Sequence, residues 1–373
     1  MNGNPPAGRA PLYAAVSERD WQDWRWQQSH RVRSVEVLEE LVHLTADERQ
    51  ACESTTEPLP LGISPYYASL MAADDPQCPV RRQAVPTMAE LGVVDSEYDD
   101  PLAEEENRVA PGLTHRYPDR AMLYTTHQCA VFCRHCNRRR KVGDPTSAPT
   151  KADLDAAVRY VAGHPELRDL LVSGGDPLSL SDERLDELLG KLRAIPHLQI
   201  IRLATRMPTT LPQRITEELV QRLRRHHPIY VATHFNHLKE CTSEAALALN
   251  RLADAGFVLA NQMVLLKGIN EAPAMVREMN QWLLKQRCRP YYIFQCDAAR
   301  GTHHFRTKVS SGIKIIEGLR GYTSGLAVPH YVVDLPGGGG KVPLIPEYLV
   351  KHEGTKLTFR NYEGKLFSYD EGE

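Results

Sequence analysis

Met122-Leu-Tyr-Thr125, the amphipathic stretch 151–163 and Leu170-Leu-Val-Ser173 follow one another as strand, helix and strand. The unit recurs down the chain. Further β-rich runs stand at 199–204, 229–233, 258–265, 291–295 and 331–334, with amphipathic stretches at 182–194, 213–225, 243–255 and 273–286. Strand–helix alternation at this spacing predicts a parallel sheet with right-handed crossovers. About six such units predict an α/β fold, a partial (β/α)6 barrel of the TIM type. A doubly wound sheet is the alternative. In a parallel barrel, chemistry gathers at the C-terminal ends of the strands.

Upstream of residue 110 the pattern is different. Residues 1–11 are rich in Pro and Gly and are expected to be disordered. Ser17 is placed to N-cap a polar-aromatic helix running Asp20-Trp-Gln-Asp-Trp-Arg-Trp-Gln-Gln28. Trp21, Trp24 and Trp26 are expected to be packing anchors. Helical stretches follow at 34–43 and 46–52, then a Pro-rich passage to about 110. Three segments result: 1–110, a helical region with a disordered start; 111–325, the barrel; and 326–373, a C-terminal segment carrying Lys341.

Composition narrows the function. The 373 residues are 25% charged with a net charge of −2, so no polyanion or nucleic-acid partner is expected. No apolar run reaches the length of a membrane span. The first residues, Met-Asn-Gly-Asn-Pro-Pro-Ala-Gly, lack the apolar core of a secretory signal. The eight cysteines read as reduced thiols, which fits a cytoplasmic protein.

Three of those cysteines lie in Cys129-Ala-Val-Phe-Cys133-Arg-His-Cys136, the loop after the first barrel strand. Three thiolates can hold three irons of a 4Fe–4S cube and leave the fourth open to a chelating molecule. Structural zinc is the rival reading; His135 could be a fourth ligand, but no second Cys pair is present. Ser173-Gly174-Gly175-Asp176 follows the second strand, and His234 follows the fourth. Gln262 lies in the fifth run, Asp297 follows the sixth, and Asp334 ends the last. Then comes Pro336-Gly-Gly-Gly-Gly-Lys341. Glycines there leave room for an anion or a flat ring, and a lysine beside them can condense with an aldehyde cofactor.

The chain resembles the radical S-adenosylmethionine (SAM) aminomutases, and among them the lysine 2,3-aminomutases. The resemblance runs from about Trp21 to the end. It includes Gly112-Leu-Thr-His-Arg-Tyr-Pro-Asp-Arg120, Cys133-Arg-His-Cys-Asn-Arg-Arg-Arg140, His304-Phe-Arg-Thr307, Gly318-Leu-Arg-Gly-Tyr-Thr-Ser-Gly325 and the Gly-rich run to Lys341. It implies that Cys129, Cys133 and Cys136 ligate the cluster. It places Ser173, Gly174, Gly175, Asp176, His234 and Gln262 near SAM. It makes Lys341 the lysine that holds pyridoxal phosphate, with Arg116 and Arg120 near its phosphate. Arg138 matches the position for the substrate carboxylate, and Asp297 and Asp334 match two acids that receive lysine's side-chain ammonium. The implied reaction moves the α-amino group of L-lysine to the β-carbon. It implies a flavodoxin- or ferredoxin-type electron donor and a homo-oligomer.

Some positions depart from the family's pattern. Gly268-Ile-Asn-Glu-Ala272 lacks the cysteine that long members carry there, and no tail cysteines precede Glu373, so structural zinc is not expected. Phe294 stands where a tyrosine is expected. Ala298-Ala-Arg-Gly-Thr-His303, next to Asp297, also differs, which leaves arginine or another basic amino acid as an alternative substrate. A non-catalytic zinc-binding or scaffold protein is the alternative from another class.

Overall fold

A computed structural model describes residues 8–54, 59–92 and 94–372. Its centre is a ten-stranded sheet in the order β1 to β10. The strands are β1 (Arg108–Ala110), β2 (Leu113–Tyr117), β3 (Arg120–Tyr124), β4 (Asp169–Ser173), β5 (Ile200–Ala204), β6 (Ile229–Thr233), β7 (Val258–Leu265), β8 (Cys288–Gln295), β9 (His330–Leu335) and β10 (Gly340–Leu344). Strands β3 through β9 pair in parallel, each with the next. Spatial order follows chain order, and β1 and β10 are opposite edges of the same open sheet. This is the partial TIM-type barrel, not a doubly wound sheet, whose strand order reverses.

Each crossover helix buries one stripe against the sheet. Helix Lys151–Ala162 is N-capped by Thr150 in a box with Asp153 and buries Leu154, Ala157 and Val161. Helix Asp182–Arg193 buries Leu185, Leu188, Leu189 and Leu192, the three-and-four spacing of a helix face. Helices Ser243–Asp254 and Pro273–Lys285 repeat the plan. The stretch 213–225 is less regular: Pro212–Arg214 is a 3-10 turn, and the α-helix is only Glu217–Leu223. The α-helix starts at the Thr216 cap, whose side chain accepts from the Leu219 N–H.

The sixth crossover, helix Val309–Leu319, is not among the amphipathic stretches read from sequence. Its N-cap Lys308 makes no capping bond, and Ser310, Ser311 and Gly312 make a weak first turns' signal. Gly312 is required by packing. A Cβ there would fall 2.2 Å from the Tyr331 ring on β9.

The N-terminal region contains short helices. Ser17 caps Glu18–Gln22, and Asp23 ends that helix and caps the next, Trp24–Ser29. Trp21 and Trp24 are buried, and Trp26 packs on the same cluster as Trp21. Of the start expected to be disordered, residues 1–7 lie outside the described residues; from residue 8 onward, the Ala10 N–H reaches Ser69 Oγ at 3.0 Å. Buried ion pairs join this region to the barrel loops, including Glu90 with Arg134 at 2.7 Å.

The C-terminal segment contributes two pieces. β10 turns back antiparallel on β9 and sets Lys341 opposite Asp334. A separate three-stranded sheet follows, β11 (Leu349–Glu353), β12 (Lys356–Arg360) and β13 (Leu366–Asp370). Among the described residues, no helix is long and apolar enough to cross a membrane.

Candidate active site

Fifteen residues were singled out from sequence, and the fold brings every one to the wall of one cavity of about 500 Å³. The cysteines, Ser173–Asp176, His234, Asp297 and Asp334 come from the C-terminal ends of β3, β4, β6, β8 and β9, where a parallel barrel gathers its chemistry; Gln262 lies within β7, Arg116 within β2, Arg120 at the start of β3 and Lys341 on β10.

The cysteine loop forms one end. Backbone bonds pin it to the N-terminal region, Phe132 N–H to Gly62 O at 2.9 Å and Arg134 N–H to Gln83 O at 2.9 Å. Burial pushes the Cys136 thiol up to about 11 and holds Cys129 well above the ordinary thiol range. Enclosed thiols of this kind ionise only when a cation meets them, which suits a metal cluster. Cys133 Sγ already faces one cation, the Arg206 guanidinium, with Nη1 at 2.8 Å.

Next to it lies the Ser173–Asp176 loop. Its glycines are needed by the protein itself: a Cβ on Gly175 would stand 2.4 Å from Gln128 O. The close approach is to the cysteine loop's backbone, a reason not visible in sequence. Asp176 lines the cavity, yet its carboxylate accepts from Leu178 N–H, Thr205 Oγ1 and the Arg206 N–H. Burial raises it to about 6. Its contact with the cavity is therefore largely through the loop it holds. Burial, then the nearby Arg206, lowers His234 to about 4, so the imidazole is neutral. In β7 the ladder slips between Asn261 and Gln262, and Gln262 reaches the cavity wall.

The other end holds the acids and Lys341. Lys341 Nζ donates to Asp334 Oδ2 at 2.7 Å and lies 5.5 Å from the Phe294 ring centroid. Arg116 also binds Asp334, at 3.1 Å. Asp297 accepts from Asn137 Nδ2 at 2.7 Å; burial, with the Asp334 charge adding to it, raises its carboxyl to about 6. Arg138 donates its Nε to Glu104 at 2.7 Å, and its guanidinium makes no other hydrogen bond to a described residue. Its Nη groups can thus accept an anion. Tyr117 lies between Arg116 and Arg120, its ring centroid 4.8 and 4.0 Å from their guanidinium carbons. Its hydroxyl meets the Lys341 N–H at 3.2 Å. The Gly run is a hairpin turn, with Gly337, Gly338 and Gly340 at positive φ that side chains disfavour. Two of its N–H groups are used internally, Gly337 to Pro101 O and Gly339 to Leu335 O.

The chain is similar to known proteins over most of its length. Residues 123–279 match the model of the radical SAM superfamily, and residues 316–373 match the C-terminal model described as lysine-2,3-aminomutase. An L-lysine 2,3-aminomutase of Fusobacterium nucleatum is 48% identical over 98% of this chain and 86% of its own. One from Clostridium subterminale is 48% identical over 97% of this chain and 87% of its own. A glutamate 2,3-aminomutase of Clostridioides difficile is 44% identical over 95% of this chain and 84% of its own. The chain belongs to the radical SAM 2,3-aminomutase family. It is an isomerase of that class and uses a 4Fe–4S cluster with SAM.

Several residues that build the aminomutase site escaped the sequence reading. Arg206, Glu104, Tyr117 and Asn137 each hold a residue that was singled out. Tyr117 and Asn137 lie inside the Gly112–Arg120 and Cys133–Arg140 motifs, which give them no role. Arg206 and Glu104 carry no local signal, because their partners are distant in sequence.

Gly175→Ala tests the loop packing. It is expected to displace the cysteine loop and to lower the iron and sulfide retained after anaerobic reconstitution severalfold, while the helical circular dichroism persists.

Proposed function

We propose that this aminomutase is a lysine 2,3-aminomutase, converting L-lysine to β-lysine with pyridoxal phosphate. The observation that carries the reading is the pair Asp297 and Asp334 in one cavity with Lys341. Two enclosed carboxylates repel each other unless a cation joins them. Such a pair favours an ammonium-bearing side chain and rejects an acidic one. The relatives at 48% identity named for lysine support it over the one named for glutamate.

Each part of the cavity then has work to do. Cys129, Cys133 and Cys136 hold the cluster, and the wall from Ser173 to Asp176, with His234 and Gln262, shapes the space for SAM. Lys341 holds pyridoxal phosphate, and Arg116 and Arg120 supply guanidinium donors for its phosphate. When bound, these groups supply hydrogen abstraction at the β-carbon and a carbonyl that carries the migrating nitrogen. Arg138 binds the substrate carboxylate while Glu104 fixes its orientation. Asp297 and Asp334 fix the far end, so the β-carbon is held at a set depth between two anchors. An external flavodoxin- or ferredoxin-type donor delivers the electron, and the working form is a homo-oligomer.

One observation favours a longer cation. A second cavity of about 410 Å³ is also lined by Asp297 and Asp334, so space continues past the acids. Arg306 and His303 line that space as well, and a guanidinium pushed there meets a like charge. Lysine is therefore preferred over arginine.

The test is anaerobic turnover of L-lysine, L-arginine and L-glutamate by the reconstituted protein, with β-amino products read by mass spectrometry. β-Lysine in at least about tenfold excess over the other products is expected. β-Arginine as the main product overturns the lysine assignment, and β-glutamate overturns the reading of the acid pair.

A further inference from the structure

Arg206 follows β5 and is the most heavily engaged cation of the site. Its Nη1 meets Cys133 Sγ at 2.8 Å. Its Nη2 donates to Glu240 Oε1 at 2.7 Å, to Gln83 Oε1 at 2.5 Å and to the Tyr67 hydroxyl at 3.3 Å. Its Nε faces His234 O at 3.3 Å, and its own N–H is held by Asp176. Glu240 is wholly buried and is itself fixed, Oε2 accepting from the Asn236 and His237 N–H groups. The guanidinium therefore has one geometry available. A rigid, buried cation directed at a ligand sulfur does more than fill space. Charge and hydrogen bonds at the sulfurs help set a cluster's reduction potential.

We propose that Arg206 is a positioning residue that favours the reduced state of the cluster through Cys133, and that Glu240 sets how much of its charge is felt. The inference rests on the reading of Cys133 as a cluster ligand. One electron added to the cluster increases the negative charge on its sulfurs, and Arg206 interacts more strongly with that form. Removing the cation makes reduction harder. Neutralising Glu240 leaves the Arg206 charge less compensated and makes reduction easier. Opposite signs from two partners in one ion pair distinguish this role from a merely structural one, which moves both variants alike.

The experiment is an anaerobic redox titration of the reconstituted protein, followed by electron paramagnetic resonance, without SAM or substrate. R206Q is expected to lower the reduced-to-oxidised ratio at a fixed potential about tenfold, a shift of about 59 mV for one electron. R206K, which keeps the charge but loses the fork, is expected to fall between R206Q and the parent. E240Q is expected to move the ratio the other way. Cluster-loaded R206Q with the parent's ratio overturns the proposal. If R206Q does not load, unchanged ratios in R206K and E240Q overturn it instead, as does a fall in both. Iron analysis of Cys133→Ala tests the ligand reading separately: full retention of the cluster there removes the premise without any reference to Arg206.

Discussion

Lys341→Ala is expected to abolish turnover, by at least about 10³-fold, and to remove the covalent attachment of pyridoxal phosphate. The side chain sits at the cavity wall, 2.7 Å from Asp334, where an aldehyde can reach it. Borohydride treatment of the loaded parent protein followed by peptide mass spectrometry should find the reduced adduct on Lys341 and on no other lysine. The variant should show none, yet retain its iron and sulfide, because the cysteine loop stands at the other end of the cavity. An adduct on a different lysine would refute the assignment. Adding an amine of similar size is expected to restore some turnover, since the cavity wall is otherwise intact.

Asp297→Asn should have the next largest effect, and it carries a pH signature. Truncating one partner of an enclosed charge pair costs about 2–5 kcal/mol, so kcat/KM for lysine should fall about 30-fold or more. In the parent, burial and the neighbouring Asp334 raise the Asp297 carboxyl to about 6. Below that pH the group is neutral and offers a substrate ammonium no charge. kcat/KM for lysine is therefore expected to climb with pH through about 6 and then level. The asparagine variant should lack that limb. Stability moves in the opposite sense. The native state binds this proton more tightly than the unfolded chain does, so the group favours the native state at low pH. That contribution fades as pH rises through about 6. An acid limb that survives in the variant would show that another group controls it.

Much of the barrel was legible because its cause is local. A strand such as Ile229–Thr233, or a helix capped by Thr150, declares itself through neighbouring residues. Helix Val309–Leu319 did not, because its Gly312 serves contact with Tyr331 and weakens its own helical signal. β1 lies at the end of the Pro-rich passage and β2 within the Gly112–Arg120 motif, neither with a strand signal of its own; β1 is held by pairing onto β2, and β2 onto β3. The site divides in the same way. Spacing made the cysteines conspicuous, and the resemblance supplied Arg138 and the two acids. The partners that hold them in place, Glu104 on Arg138 and Arg206 on Cys133, are 34 and 73 residues away along the chain. Contacts at that range follow from the fold and leave no trace in a local pattern.

The short stretch from Pro101 to Glu104 bears on how this chain can be divided. Pro101 O receives the Gly337 N–H, Leu102 O receives Arg116, and Glu104 receives both Arg138 and Arg140. Three residues ahead of the barrel thus touch the turn before Lys341 and the cavity-lining Arg116 and Arg138. Composition suggests a seam near residue 110, but a cut there would separate the active site from part of its own wall. A protein engineer who transplants the barrel alone is expected to carry over the reactive side chains without the stretch that aims them.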